Sequence, residues 1–331
     1  MSLDLVGMPK AELHVHLEAA TNQVSAVELA DRYGKTLPAA GPFRSLTEFV
    51  AVYEQARDLI GSLDDLYRLA REFSERQRAD GVVWSEVYFI PSTYAGRLGH
   101  PDGLIEAVVD GLRSGTGLDQ AGLILGVNRG LPISEAFDAV DCAVRWAGRG
   151  VVALGLAGDE LHYPAGLFGA VFEKARAAGL PAVPHAGEAV GPSSVRETLE
   201  LLRPARISHG FRAVEDQDLV FRLADERICL DLAPSSNFLL GGVASFEVHP
   251  LPTLMRAGIP ISINSDSPFF VGHGLLDEYR RCIAAWGLSD GEVVALAENS
   301  IRYSFCPEPV RRKALADLAA LTQPGQLGPA D

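Results

Sequence analysis

Cysteine is scarce in this chain of 331 residues. There are four, Cys142, Cys229, Cys282 and Cys306, all far apart in sequence. That excludes a CxxC redox pair, a cysteine-based zinc site and a disulfide scaffold. It predicts reduced, buried thiols in a cytoplasmic protein. Basic charge is also in deficit: 29 Lys and Arg stand against 43 Asp and Glu, a formal net charge of −14. A nucleic-acid or anionic-membrane partner needs a basic patch, so neither is expected. No apolar run reaches the roughly 20 residues that span a bilayer. The N-terminus does not read as a basic segment followed by an apolar one. Several chemical signatures are missing as well. There is no HExxH, no GxSxG elbow and no HxE…PCxxC deaminase pattern. The stretch "GLAGDE" is too short for a phosphate loop and lacks its lysine.

What is present is a chain with 47% hydrophobic residues, enough for a large core. Short apolar runs predict eight strands: Glu12 to Leu17, Val82 to Ile90, Leu123 to Asn128, Val151 to Leu156, Pro181 to His185, Arg206 to His209, Ile228 to Leu232 and Ile261 to Asn264. Amphipathic stretches with helical period separate most of them. Two begin with capping signals, Ser45 with Glu48 and Ser62 with Asp65. Strands alternating with helices imply parallel pairing and right-handed crossovers. Eight of them predict an α/β fold, a (β/α)8 TIM barrel, as one domain over residues 1–331. Extra helices between the first two strands form an insertion over the barrel mouth. The Pro/Gly-rich tail from Gln323 reads as frayed.

"AELHVHLEAA" places His14 and His16 two apart on a strand, hence on one face. Taken alone, the pair fits two ordinary histidines as well as half of a metal site. The barrel frame adds to it, because active sites of barrels collect at the C-terminal strand ends. "VPHAGE" brings His185 and Glu188 to the end of strand five. "RISHG" brings His209 to the end of strand six, and "SINSDS" brings Asp266 and Ser267 to the end of strand eight. Four of the eight histidines and an aspartate then converge from four strands. Histidines with a carboxylate suit zinc, and a position left open for water makes such a site catalytic. His100, His162, His249 and His273 are read as structural or surface residues.

The stretches "MPKAELHVHLEAA", "LGLAGDE", "HAGEAVGPSSVRETLELL", "RISHG", "HPLPTLMRAGIPISINSDSP" and "NSIRYSFCP" run from Met8 to Pro307. Together they resemble the adenosine deaminase family of the amidohydrolase superfamily. The resemblance implies one zinc ion per chain and hydrolytic deamination of an aminopurine nucleoside, adenosine or adenosine-like. Zinc-activated hydroxide would add to C6, with release of ammonia. His14, His16, His185 and Asp266 would hold the metal. Glu188 would protonate purine N1, and His209 would orient and deprotonate the zinc-bound water. Gly158 would offer its backbone N–H to purine N3. His249, at a family helix start, would serve packing.

Departures from the family pattern fall in the parts that read substrate. Ser267 stands where the family has a second aspartate facing N7. Glu18 and Ala19 stand where Asp-Gly is usual, the acid there contacting ribose. Tyr88 and Ile90 replace the more frequent Arg and Ser. A lost charged hydrogen bond to the ring is worth about 1.5–3 kcal/mol, enough to change the substrate and too little to abolish the chemistry. Three functions follow: an adenosine-type deaminase, the same chemistry on another amino-heterocycle (aminodeoxyfutalosine, adenine or a non-purine base), and a degenerate binding protein. The partner expected is a small molecule.

Overall fold

The computed structural model describes residues 3–39, 41–43, 45–116 (Thr116 by its backbone) and 120–321. The predicted frayed tail from Gln323 lies outside them. Eight strands form one sheet in sequence order: β1 (Lys10–His16), β2 (Val82–Phe89), β3 (Ala121–Asn128), β4 (Val151–Ala157), β5 (Ala182–Ala186), β6 (Arg206–His209), β7 (Cys229–Leu232) and β8 (Ile261–Ile263). Every neighbouring pair is parallel. The strands are buried on both faces, as a sheet covered by helices requires. The predicted barrel is therefore present, each strand end within two residues of its expected place.

The sheet closes between β8 and β1. His16 N–H donates to Asp266 C=O at 2.9 Å, and Asp266 N–H donates to His14 C=O at 3.0 Å. β1 is irregular between Glu12 and Val15. There the amides of Leu13 and His14 donate to Asn264 Oδ1, at 2.7 and 3.1 Å. A side chain just past the end of β8 thus satisfies two donors that the irregular strand cannot pair.

Three helices separate β1 from β2: α1 (Gln23–Tyr33), α2 (Leu46–Leu59) and α3 (Leu63–Ala79). Asn22, Ser45 and Ser62 cap them, each accepting from the third amide on, at 2.9, 3.2 and 3.1 Å. α2 is the predicted insertion over the mouth. Leu46, Phe49, Val50 and Tyr53, spaced i, i+3, i+4, i+7, all face one cavity. Phe43, Phe49 and Phe270 pack edge-on beneath it, centroids 5.2–6.1 Å apart.

The barrel floor is charged rather than oily. Arg206 Nε donates to Asp231 Oδ2 at 2.7 Å, and its Nη2 to Glu86 Oε2 at 2.5 Å, all three side chains fully buried. Trp84 Nε1 holds Glu86 Oε1 at 2.8 Å, Ser262 Oγ holds Asp231 Oδ1 at 2.8 Å, and the guanidinium lies over the Phe305 ring at 4.8 Å. Removing one partner strands the others in a dry interior, at a cost of about 3–5 kcal/mol. Arg206→Leu should lower unfolding stability by that amount. Urea titration against the wild type checks it.

Candidate active site

The predicted residues meet at the C-terminal mouth of the barrel. A cavity of about 240 Å³ is lined by His16, His185, His209, Glu188, Asp266, Ser267, Gly158 and Glu18, among others. His14 lies behind it, with Nε2 3.0 Å from His185 Nε2. His16 Nε2 is 3.2 Å from the same atom, and both β1 rings reach Asp266 Oδ1 at 3.5 Å. His209 and Asp266 have φ of +64° and +57°. Side chains other than glycine rarely adopt this left-handed backbone, and it collects at functional sites. Here it turns both residues off their strand ends into the mouth.

This donor set fits a metal ion. Ligands about 2.0–2.1 Å from one ion in tetrahedral geometry stand about 3.3 Å apart, close to the separations here. His14 Nδ1 faces the Asp231 carbonyl at 3.4 Å, so its proton sits there and its Nε2 presents a lone pair. Burial holds the imidazoles neutral, pushing His14 down to about 3 and His16 to about 4, and His185 well below the usual range. Neutral imidazole is the form that binds metal. Burial also raises the Asp266 carboxyl, while His16 and the hydroxyls of Ser236 and Ser267 favour its anion. Ser236 Oγ donates to Asp266 Oδ2 at 2.5 Å. A supporting hydrogen bond of this kind orients a metal-binding carboxylate.

Glu188 Oε1 lies 3.5 Å from His209 Nε2. Burial raises the Glu188 carboxyl well above the carboxylate range, reinforced by the charges of Asp266 and Glu160 and opposed by Arg129. Burial thus favours its neutral, protonated form at the cavity wall.

Glu160, within "LAGDE", holds the loop that carries Glu188. Its carboxylate accepts the amides of Gly187, Glu188, Ala189 and Val190 at 2.6–3.1 Å, and the hydroxyl of Ser194. Gly187 takes φ +67°, and a Cβ there would meet Val195 Cγ2 at 2.5 Å. Four successive N–H groups thus close around one anion. Sequence reading passed over Glu160, although it sits two residues after the Gly158 it selected.

The residues at the three substrate-side departures also make bonds within the fold. Both oxygens of Glu18 are taken, one by Tyr53 Oη and one by Tyr94 Oη, each at 2.7 Å. Ser267 Oγ donates to Asp266 Oδ1 at 3.3 Å, turning its hydroxyl toward the candidate ligand. Tyr88 is buried in the barrel, its hydroxyl on the Val183 carbonyl and 2.7 Å from Ser208 Oγ, while Ile90 does line the cavity. Of the remaining histidines, His100 is exposed. His162 pairs with Asp159 at 2.7 Å and His273 with Glu278 at 2.6 Å. His249 packs against Phe211 and Trp286 as expected, and it also bonds Asn237.

A parallel barrel with three imidazoles and a carboxylate gathered at its mouth defines a metal-dependent hydrolase of the amidohydrolase type. The chain matches the adenosine deaminase family over residues 9–321 and belongs to that family. It is 35% identical over 331 residues to the adenine deaminase of Caulobacter vibrioides, covering 95% of this chain and 94% of the relative. The crystal structure of adenine deaminase from Arthrobacter aurescens superposes with a TM-score of 0.85 at 28% identity, covering 95% of this chain and 98% of that one. An amidohydrolase from Burkholderia ambifaria with bound zinc gives 0.85 at 25% identity, covering 96% and 91%. The protein is a hydrolytic deaminase.

His14→Ala and Asp266→Ala should each strip the protein of its metal. Metal content per chain, measured by elemental analysis, should fall from near stoichiometric to background, with loss of turnover. Unchanged turnover in a metal-free preparation would overturn the metal site.

Proposed function

We propose that the protein uses one zinc ion per chain to deaminate a 6-aminopurine hydrolytically, taking the free base in preference to the nucleoside. The convergence of His14, His16, His185 and Asp266 beside the buried acid Glu188 carries the chemistry. A bound zinc ion would supply Lewis-acid activation of water at neutral pH. The rest belongs to the chain. Glu188 holds the proton that an aromatic ring nitrogen must receive before a nucleophile can add to the adjacent carbon. His209 faces the same space and orients the reacting groups through Nε2. The Gly158 amide, on a backbone with φ +103° at the cavity wall, would read a ring nitrogen of the base.

Preference for the base rests on Glu18. Each of its oxygens already accepts a tyrosine hydroxyl, and at 3% exposed the acid offers a sugar hydroxyl little access. Several other polar groups of the wall are partly engaged. Thr93 Oγ1 donates to the Ile90 carbonyl at 2.8 Å, Asn128 Oδ1 accepts from Gly130 at 2.9 Å, and Arg57 pairs with Asp58 at 3.1 Å. Leu46, Phe49, Val50, Ile90 and Leu131 supply the remainder. A ribose there would bury hydroxyls among few free partners, at about 1–3 kcal/mol for each left unpaired. The Caulobacter and Arthrobacter proteins, named adenine deaminases, agree with this reading. Four unpaired, buried thiols suit the reducing cytoplasm as its location.

Two measurements test the proposal. Ammonia release should give a kcat/KM for adenine at least tenfold above that for adenosine, and Tyr53→Phe, which frees one Glu18 oxygen, should narrow the gap. A wild type that prefers adenosine would overturn the base preference. Separately, Glu188→Gln should keep its metal while kcat falls at least a hundredfold, the scale of general acid catalysis. Near-normal turnover in that variant would remove Glu188 from its role.

A further inference from the structure

Hydrogen bonds behind His209 form a line that begins at a backbone amide. The Leu251 N–H donates to His249 Nδ1 at 3.1 Å. A backbone amide can only donate, so His249 Nδ1 is the acceptor. The His249 ring is 2% exposed, and burial pushes it down to about 3, so it is neutral and carries its proton on Nε2. That Nε2 lies 3.1 Å from Asn237 Oδ1, which accepts it. With its oxygen turned to His249, Asn237 presents its amide nitrogen to His209, and Nδ2 is 3.0 Å from His209 Nδ1. His209 Nδ1 is therefore an acceptor too. In the neutral ring the remaining proton is on Nε2, the atom 3.5 Å from Glu188 Oε1. Asn237 is 1% exposed and His209 also 1%, so water does not compete for these positions.

We propose that His249 and Asn237 are positioning residues that fix His209 as its Nε2–H tautomer, so that it enters the cavity as a hydrogen-bond donor. Donor and acceptor alternate through three side chains, and reversing any one member would set two donors or two acceptors face to face. His249, more than a packing residue, then acts on the cavity through Asn237. The tautomer itself does not depend on which substrate is used. Its chemical consequence rests on the deaminase reading: His209 holds a partner by donation, and Glu188 is the group left to carry a proton.

The test is the nitrogen-15 spectrum of the metal-loaded, full-length protein labelled at histidine, recorded near neutral pH. His209 should show an unprotonated, imine-type Nδ1 and a protonated, pyrrole-type Nε2. His249 should show the same pattern. His249→Gln and His209→Asn assign the signals by subtraction. Asn237→Asp places a carboxylate, an acceptor only, between the two rings, so the His209 proton should move to Nδ1 and its two signals should exchange. In parallel kcat should fall at least tenfold, with KM within threefold and metal content unchanged. If Asn237→Asp fails to fold, His249→Leu removes the donor that orients Asn237, and His209 should then show averaged signals from both tautomers. A wild-type His209 protonated on Nδ1 overturns the proposal, as does an unaltered His209 pattern in these variants. The expected spectrum from a protein that releases no ammonia from aminopurines would uphold the tautomer and sink the substrate reading instead. Deamination with the opposite tautomer would do the reverse.

Discussion

Two backbone hydrogen bonds between β8 and β1 decide most of what this molecule can do. They join Asp266 to His14 and His16, so the contact that closes the sheet also assembles three of the four candidate ligands. The aim of each ring is set by strand geometry, since alternate residues of β1 leave on one face. Only His185 comes from elsewhere, and it arrives on β5, paired through β6 with the rest of the barrel. A rigid scaffold of this kind keeps its donors in place before any ion or ligand is present, so little ordering remains to be done on binding.

Below and above that closure the protein handles charge in opposite ways. On the floor, Arg206 with Glu86 and Asp231 forms a buried, fully partnered cluster. In the mouth, burial depresses imidazoles and raises Glu188, so that neutral forms prevail. The two regions are joined at Asp231, whose carbonyl lies 3.4 Å from His14 Nδ1 and whose carboxylate holds Arg206. The charged floor therefore helps to fix a ring at the centre of the site.

The sequence carried the frame well, and it marked the residues that meet at the mouth, because both are written in short local patterns. Hydrophobic runs with helical spacers mark the strands, and strand-end motifs such as "VPHAGE" and "SINSDS" mark His185, Glu188 and Asp266. What it could not display are pairings between distant residues. Nothing near Glu18 announces that Tyr53 and Tyr94, 35 and 76 positions away, will occupy its oxygens. Glu160 reaches a loop 27 to 30 residues on, and His249 meets Asn237 only because a helix turns back after β7. An acid beside a strand end thus reads the same whether it faces a ligand or a tyrosine. Ser267 is a similar case: its position was legible, the direction of its hydroxyl was not.

The roof made by α2 has a consequence for traffic. His14 is fully buried and His185 and Asp266 are no more than 5% exposed, and the ligand atoms are approached through the cavity that α2 covers. An ion held by these residues would lie beneath any organic ligand in that cavity. A chelator would then find it least accessible while the enzyme is busiest.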